Sequence, residues 1–560
     1  MKENVNLKIK KIINDFYDTK RFFIIETEQK FWFYDSFSQR LYSITKELFN
    51  YFNKQNYTLE DFINEKSFED SSKVLNFFMS ASKVQEDIIP EYHKDSKCTV
   101  MINTSNRCNL NCSYCYRDKN NSNTISIDTV SKIFDFLKND YKPEADEYII
   151  SYSMTSESSI DLSILKEIAE KYKDFENYQF NEQDIDDFIF NDFYERIKKD
   201  LFDKVCDRIA LPKKNKKDVI VFLNKLLDNE DAFDLLQLTE SMFDYNKLTE
   251  IQKRKILAKW RLYRINRWCL ELYYDKYINK RKIPYVCFWF MTNGTCSSDA
   301  FIQFIKSCDI NPLWVSIDGP QNVQDANRMF VNNEPSYNVI LKNIERMKQN
   351  GLVLRASVVL NTYYPYPLRI INHLKKLGFD SFSITPVRPG SECSFTTDNI
   401  DELFKGYDEV FDELEKQLLQ HNYSLLNMLQ EDMMLAPYYF FINRNKEIKR
   451  CNFDNQLVIN ANGEIYPCLY FSTNKDFCYG TIYGNFASQK TDIDMQVNHR
   501  GKCAECWARY LCGGTCLYGS YVTTGDFLAI EPIECRIKKY LAEKCLKLLI
   551  FMREHNINIK

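Results

Sequence analysis

Three cysteines crowd one short stretch, Cys108-Asn-Leu-Asn-Cys112-Ser-Tyr-Cys115, directly after an apolar run, CTVMINTS, that reads as a β-strand. Thiolates are the usual ligands of iron–sulfur clusters, and four of them complete a [4Fe–4S] cube. Three at this spacing wrap one cube and leave one iron open, as catalytic metal sites keep a position for substrate. A single zinc ion or buried core thiols are the rival readings.

The remaining cysteines widen the question. The 560-residue chain carries nineteen. Its N-terminus, MKENVNLKIKKIINDF, has no apolar core of signal-peptide length, and no apolar run is long enough to span a bilayer. A cytoplasmic location is expected, where cysteines ligate metals or do redox chemistry rather than pair as disulfides. A net charge of -4 gives no electrostatic case for nucleic acid or a membrane surface.

The expected fold class is α/β. Residues 1–95 read as a small separate unit, with FFIIET, KFWFYD and RLYSIT as strands and KELFNYFNK and LEDFINEKS as helical stretches. Strands followed by helices predict a winged-helix-like module. From 96 to 390, strands and amphipathic helices alternate through six βα units. That alternation predicts a parallel sheet closed or partly closed into a TIM-like (β/α)6 barrel, with the chemistry on the loops after the strand C-termini. A charged, helix-rich insertion at about 174–284 interrupts it after the second helix. It reads as a lid, a peptide-docking arm or a neutral elaboration. Residues 391–450 read as a helical linker, 451–535 as a cysteine-dense domain and 536–560 as a final helix.

The CxxxCxxC spacing, with an aromatic before its last Cys, resembles the hallmark of the radical S-adenosylmethionine superfamily. By that resemblance the open iron chelates S-adenosylmethionine, and reductive cleavage yields a 5′-deoxyadenosyl radical. The family's GGEP-like stretch corresponds to Thr155-Ser156-Glu157-Ser158, in which Glu157 is kept. Thr292-Asn293-Gly294 matches its TNG, Ser316-Ile317-Asp318-Gly319-Pro320 its SIDGP, and Asp325-Ala-Asn-Arg328 a following DxxR. The resemblance implies cofactor contacts from Glu157, Asn293, Ser316 and Arg328, with Ser316 on the ribose or carboxylate.

Farther on stand Cys451, Gly463 and Cys468, then Cys503-x2-Cys506-x5-Cys512-x3-Cys516 and Cys535. This set resembles the SPASM domain, the auxiliary-cluster domain of many radical enzymes that modify peptides. The resemblance implies one auxiliary [4Fe–4S] cluster on Cys503, Cys506, Cys512 and Cys535, and another on Cys451, Cys468 and Cys516. Either Cys478 completes the second, or an open iron there binds and deprotonates a substrate thiolate. Zinc, which C-x2-C also suits, is the rival.

The N-terminal unit, through KFWFYDSFSQRLYSIT, resembles the precursor-recognition domain of ribosomal-peptide maturases, which pairs an edge strand with a leader peptide. Together the parts resemble an anaerobic radical S-adenosylmethionine peptide maturase that forms a cysteine thioether cross-link. Its implied partners are a precursor peptide and an electron donor such as flavodoxin or ferredoxin. An anaerobic sulfatase-maturating enzyme, forming formylglycine, is the enzymatic alternative; a non-catalytic iron–sulfur scaffold is the other. With five histidines, a carboxylate or Tyr is the expected kind of base, and no residue is assigned that role.

Overall fold

The computed structural model describes residues 22–46, 49–50, 97–105, 107–116, 123–141, 147–152, 157, 162–176, 285–308, 310, 312–379, 381–486 and 494–558. Most of the expected insertion, the flanks of Glu157 and the helices expected after the N-terminal strands lie outside these residues.

Two sheets organise the chain. The first is an antiparallel meander of β1 (Phe22–Glu26), β2 (Phe31–Asp35) and β3 (Arg40–Ile44), in that order. Aromatic and β-branched residues favour such pleated pairs, and Asp35 accepts the turn N–H groups of Phe37 and Ser38 at 3.2 and 3.3 Å.

The second sheet holds β4 (Lys97–Ile102), β5 (Glu147–Tyr152), β6 (Tyr285–Thr292), β7 (Leu313–Ser316), β8 (Leu354–Leu360) and β9 (Phe382–Pro386), side by side in chain order. All five pairings between them are parallel. Helices α1 (Ile127–Asn139), α2 (Leu162–Glu176), α3 (Asp299–Ser307), α4 (Gln321–Asn327), α5 (Tyr337–Gln349) and α6 (Pro367–Lys376) lie between the strands. Their apolar stripes bury against the sheet: Ile133, Phe134 and Leu137 from α1, Phe301, Phe304 and Ile305 from α3, Ile340, Ile344 and Met347 from α5. Ser126 and Ser298 cap α1 and α3 by accepting N–H groups of the first turn.

The cysteine-dense region does not stand apart. Its hairpin, β10 (Gln456–Ile459) and β11 (Ile465–Tyr466), extends this same sheet. Strand β10 pairs in parallel with β4, Gln456 opposite Thr99 and Ile459 opposite Ile102. The 391–450 stretch supplies α7 (Ile400–Leu419), α8 (Ser424–Met428) and α9 (Ala436–Ile442). Tyr407, Val410, Phe411 and Leu414 of α7 are buried in the core. Two short helices, α10 (Arg509–Cys512) and α11 (Leu517–Thr524), precede the long α12 (Pro532–Glu554). The final helix thus starts at Pro532, not at 536, and Cys535 sits on its first turn. Glu531 explains the difference: its carboxylate accepts the N–H groups of Ile533 and Glu534, and Pro532 suits the first helical position.

Candidate iron–sulfur sites

The loops at the C-terminal ends of β4 to β9 share one rim of the sheet. The loop after β4 carries Cys108, Cys112 and Cys115, all partly exposed. It is zipped to the segment after α4. Asn111 N–H donates to Met329 O at 2.8 Å, Ser113 N–H to Asn327 O at 3.0 Å, and Val331 N–H to Asn109 O at 3.0 Å. The thiol loop therefore owes its shape to residues 327–331, the end of the DxxR stretch.

Side chains complete the clamp. Asp318, at 0% exposure, accepts Arg328 Nε at 2.9 Å and Nη2 at 3.2 Å, Tyr114 Oη at 2.5 Å, and the Val359 N–H at 3.1 Å. Arg328 Nη1 then lies 4.0 Å from Cys112 Sγ. Opposite, Asn293 Nδ2 lies 3.8 Å from Cys108 Sγ and donates to Asn109 Oδ1 at 2.8 Å, while its Oδ1 accepts from Thr295 N and Oγ1 at 3.0 and 2.7 Å. Buried Glu157 takes the Thr292 hydroxyl at 2.8 Å and the Asn293 N–H at 2.5 Å. Gly294, at φ +77°, follows in a conformation glycine adopts readily, and a Cβ there would press on Val315 and Ile340 at 3.0 Å.

Glu157, Asn293 and Arg328, the expected cofactor contacts, make these bonds to protein groups, which fix the turn and hold donors near two thiols. They are buried, and buried polar groups must find partners. Ser316 ends β7, buried beside Asp318. Sequence reasoning quoted Tyr114 and Asp318 only as motif letters. The signal for Asp318 was a carboxylate at the end of the apolar run LWVSI, with an arginine ten residues on.

Seven further thiols fall into two groups. Burial pushes Cys468 up to about 12, with Cys516 and Cys451 adding to the rise; Cys451 is raised likewise, with Cys516 adding. In the other group burial raises Cys503 to about 11 and Cys535 to about 12, each reinforced by Cys512 and Cys506. Cys478 stands aside, its thiol 3.3 Å from Gly480 O and packed on Tyr466. Burial likewise lifts Cys112 to about 11, against the pull of Arg328. Such thiols hold their protons until a metal displaces them. Among the described residues no three Cys, His, Asp or Glu side chains converge on one metal ion. Thiolates are the usual ligands of iron–sulfur clusters, and these all-sulfur donor sets suit them.

An aromatic stack joins the first loop to the nearer set. Tyr116, beside Cys115, meets Tyr470 at 4.4 Å, and Tyr470 stacks on Tyr518 at 4.9 Å. Glu534 accepts the Cys516 N–H at 2.9 Å and pairs with Arg388 at 3.3 Å and Lys538 at 2.9 Å.

No family model matches the chain. A serine-type anaerobic sulfatase-maturating enzyme of Bacteroides thetaiotaomicron is 22% identical over 315 residues, covering 46% of this chain and 75% of that protein. A cysteine-type counterpart of Clostridium novyi is 23% identical over 254 residues, 43% of this chain and 66% of that protein. In fold the chain is similar to anSMEcpe solved with bound AdoMet, at a TM-score of 0.51 and 12% identity over 82% of this chain and 99% of that one. No helix among the described residues is long and apolar enough to cross a membrane.

Proposed function

We propose that the chain, a radical S-adenosylmethionine enzyme with [4Fe–4S] clusters and a SPASM-type C-terminal domain, is a maturase acting on a precursor peptide. The observation that carries this reading is the thiol loop itself, clamped by residues 327–331 with Arg328 and Asn293 against two of its three sulfurs. Its six parallel strands read as the partial (β/α)6 barrel of such enzymes, and its N-terminal meander as the strand half of a winged-helix-like peptide-recognition module.

In this reading Cys108, Cys112 and Cys115 hold the cluster that binds the cofactor, and Ser316 orients the cofactor's ribose or carboxylate. The bound cofactor supplies a 5′-deoxyadenosyl radical that takes one hydrogen from the peptide, with flavodoxin or ferredoxin delivering the electron. The protein positions: the Asp318–Arg328–Tyr114 network holds the loop, and the aromatic stack from Tyr116 to Tyr518 shields the path to the nearer auxiliary set. Cys503, Cys506, Cys512 and Cys535 hold one auxiliary cluster, Cys451, Cys468 and Cys516 the other. Unless Cys478 joins them, these three thiols leave one iron of that second cluster open, and an open iron could hold a substrate thiolate. The favoured product would be a thioether: one S–H and one C–H are lost and a C–S bond forms, one hydrogen atom passing to the 5′-deoxyadenosyl group, the thiol proton to solvent and the remaining electron to the auxiliary cluster. Formylglycine formation is the second reading, favoured by the names of both curated relatives.

The test is anaerobic reconstitution with iron and sulfide, followed by reduction in the presence of S-adenosylmethionine. We expect 5′-deoxyadenosine, abolished in Cys112→Ala. A cysteine peptide should then lose two hydrogens and its free thiol; an aldehyde trapped by hydrazide would select formylglycine instead. No 5′-deoxyadenosine from iron-replete protein would leave a binding scaffold.

A further inference from the structure

Arg500 is the anomaly of the C-terminal domain. It is 2% exposed, and every hydrogen-bond partner it has among the described residues is an uncharged oxygen. Nε donates to Leu528 O at 3.1 Å, Nη1 to Thr515 O at 2.6 Å, and Nη2 to Thr515 Oγ1, Ser520 Oγ, Ala529 O and Phe527 O at 3.0, 2.9, 2.9 and 3.2 Å. A guanidinium keeps its charge in any protein. Hydrogen bonds satisfy its N–H groups but leave the charge without a counter-ion, and a buried unpaired charge is costly.

The site is built to hold it. Gly514 stands at φ +87°, and a Cβ there would lie 3.0 Å from Arg500 Nη1. Gly514 lies between Cys512 and Cys516, so the guanidinium is seated against the loop that joins the two thiol sets. The Arg500 carbonyl accepts the Cys503 N–H at 2.8 Å, and Arg500 is a charge that acts on the Cys503 thiol. The other set lives in different surroundings. Phe453, Phe471, Phe477, Tyr518, Tyr521 and Phe527 pack around Cys451 and Cys468. The cation on that side, Arg388, acts on the Cys451 thiol but is paired with Glu534 at 3.3 Å.

We infer that Arg500 is the fixed counter-charge of the auxiliary cluster on Cys503, Cys506, Cys512 and Cys535, and makes that cluster a stronger electron acceptor than it would be without the guanidinium. The inference rests on the proposed cluster assignment. A cube held by four thiolates is anionic, and one-electron reduction adds a further negative charge. A buried cation beside it favours the reduced form, because the low dielectric screens little. Arg500 is a positioning residue in this sense; it touches no substrate.

The test is an EPR-monitored redox titration of the reconstituted full-length enzyme. Arg500→Gln should lower one auxiliary midpoint by at least tenfold in the reduction equilibrium, 59 mV for one electron, and leave the others in place. Arg500→Lys, which keeps the charge, should shift it less. Ser520→Asp puts a carboxylate beside Nη2 and should lower the same midpoint while every guanidinium contact to the backbone persists; it decides the matter if Arg500→Gln takes up no iron. Midpoints unmoved in both the Gln and Asp variants, or an equal fall in Arg500→Lys, would overturn the role. If Cys503→Ala/Cys506→Ala retains all its iron, the cluster assignment itself fails, and the role of Arg500 with it.

Discussion

At the scale of single residues, the thiol motif and its partners were legible because each has a fixed spacing and a letter code. What spacing could not convey was how the partners spend their hydrogen bonds. Asn293 and Arg328 sit in a crowded rim where both amide and guanidinium bond protein atoms. Arg328 and Asp318 form a buried ion pair with two-point geometry, and removing one partner of such a pair costs about 3–5 kcal/mol because the other charge is stranded. Arg328→Gln should therefore lower the melting temperature of the cluster-free protein and reduce iron uptake at the first site. Arg328→Gln/Asp318→Asn should cost less than the sum of the two single changes, since no charge is left unpaired. Thermal denaturation and iron content per chain measure both. Additive losses would show that the two side chains act separately. Arg500 gave no sequence signal at all: in NHRGKC it reads as a surface residue, and only the oxygens gathered from positions 515–529 reveal its burial.

At the scale of elements, alternation of apolar strands and amphipathic helices located β4 to β9 and the helices between them, since period 2 and period 3.6 are written in the sequence itself. Two things escaped. The hairpin β10–β11 joins the edge of the parallel sheet beside β4, and pairing across some 350 residues leaves no local trace. The start of α12 was misplaced because the helix was read from its apolar run and not from the cap at Glu531. Helix α7 carries a further case where contact overrules propensity. Replacing a helical glycine with alanine normally stabilises by about 1 kcal/mol. At Gly406 a Cβ would collide with the Pro365 carbonyl, in the loop that leads into α6, and crowd Pro367, the first residue of α6, at 3.0 Å. Overpacking of this kind costs about 1–3 kcal/mol. Gly406→Ala should accordingly lower the melting temperature by several degrees, and a rise would show that α7 can shift away from that loop.

At the scale of the whole molecule, the N-terminal meander is tied to the far end of the chain. Phe23 stacks on Trp507 at 4.0 Å, next to Cys506. Glu554 of α12 accepts Trp32 Nε1 at 2.9 Å and Thr27 Oγ1 at 2.8 Å, and Arg553 donates to Leu41 O at 3.0 Å. A sheet that reads a leader peptide would in this way be anchored to the domain proposed to carry the auxiliary clusters, giving the bound peptide a defined position relative to them. The two hydrogen bonds to Glu554 and the Phe23–Trp507 pair together contribute roughly 2–3 kcal/mol to this junction. Phe23→Ala/Glu554→Ala should loosen it while leaving every proposed ligand in place. We expect the KM for a leader-bearing peptide to rise by the order of tenfold, with 5′-deoxyadenosine formation in the absence of peptide unchanged. A leaderless peptide should be processed as by the parent enzyme, since it gains nothing from the junction. Equal losses for both peptides, or a fall in the peptide-free reaction, would mean that the meander braces the auxiliary domain and does not present the substrate.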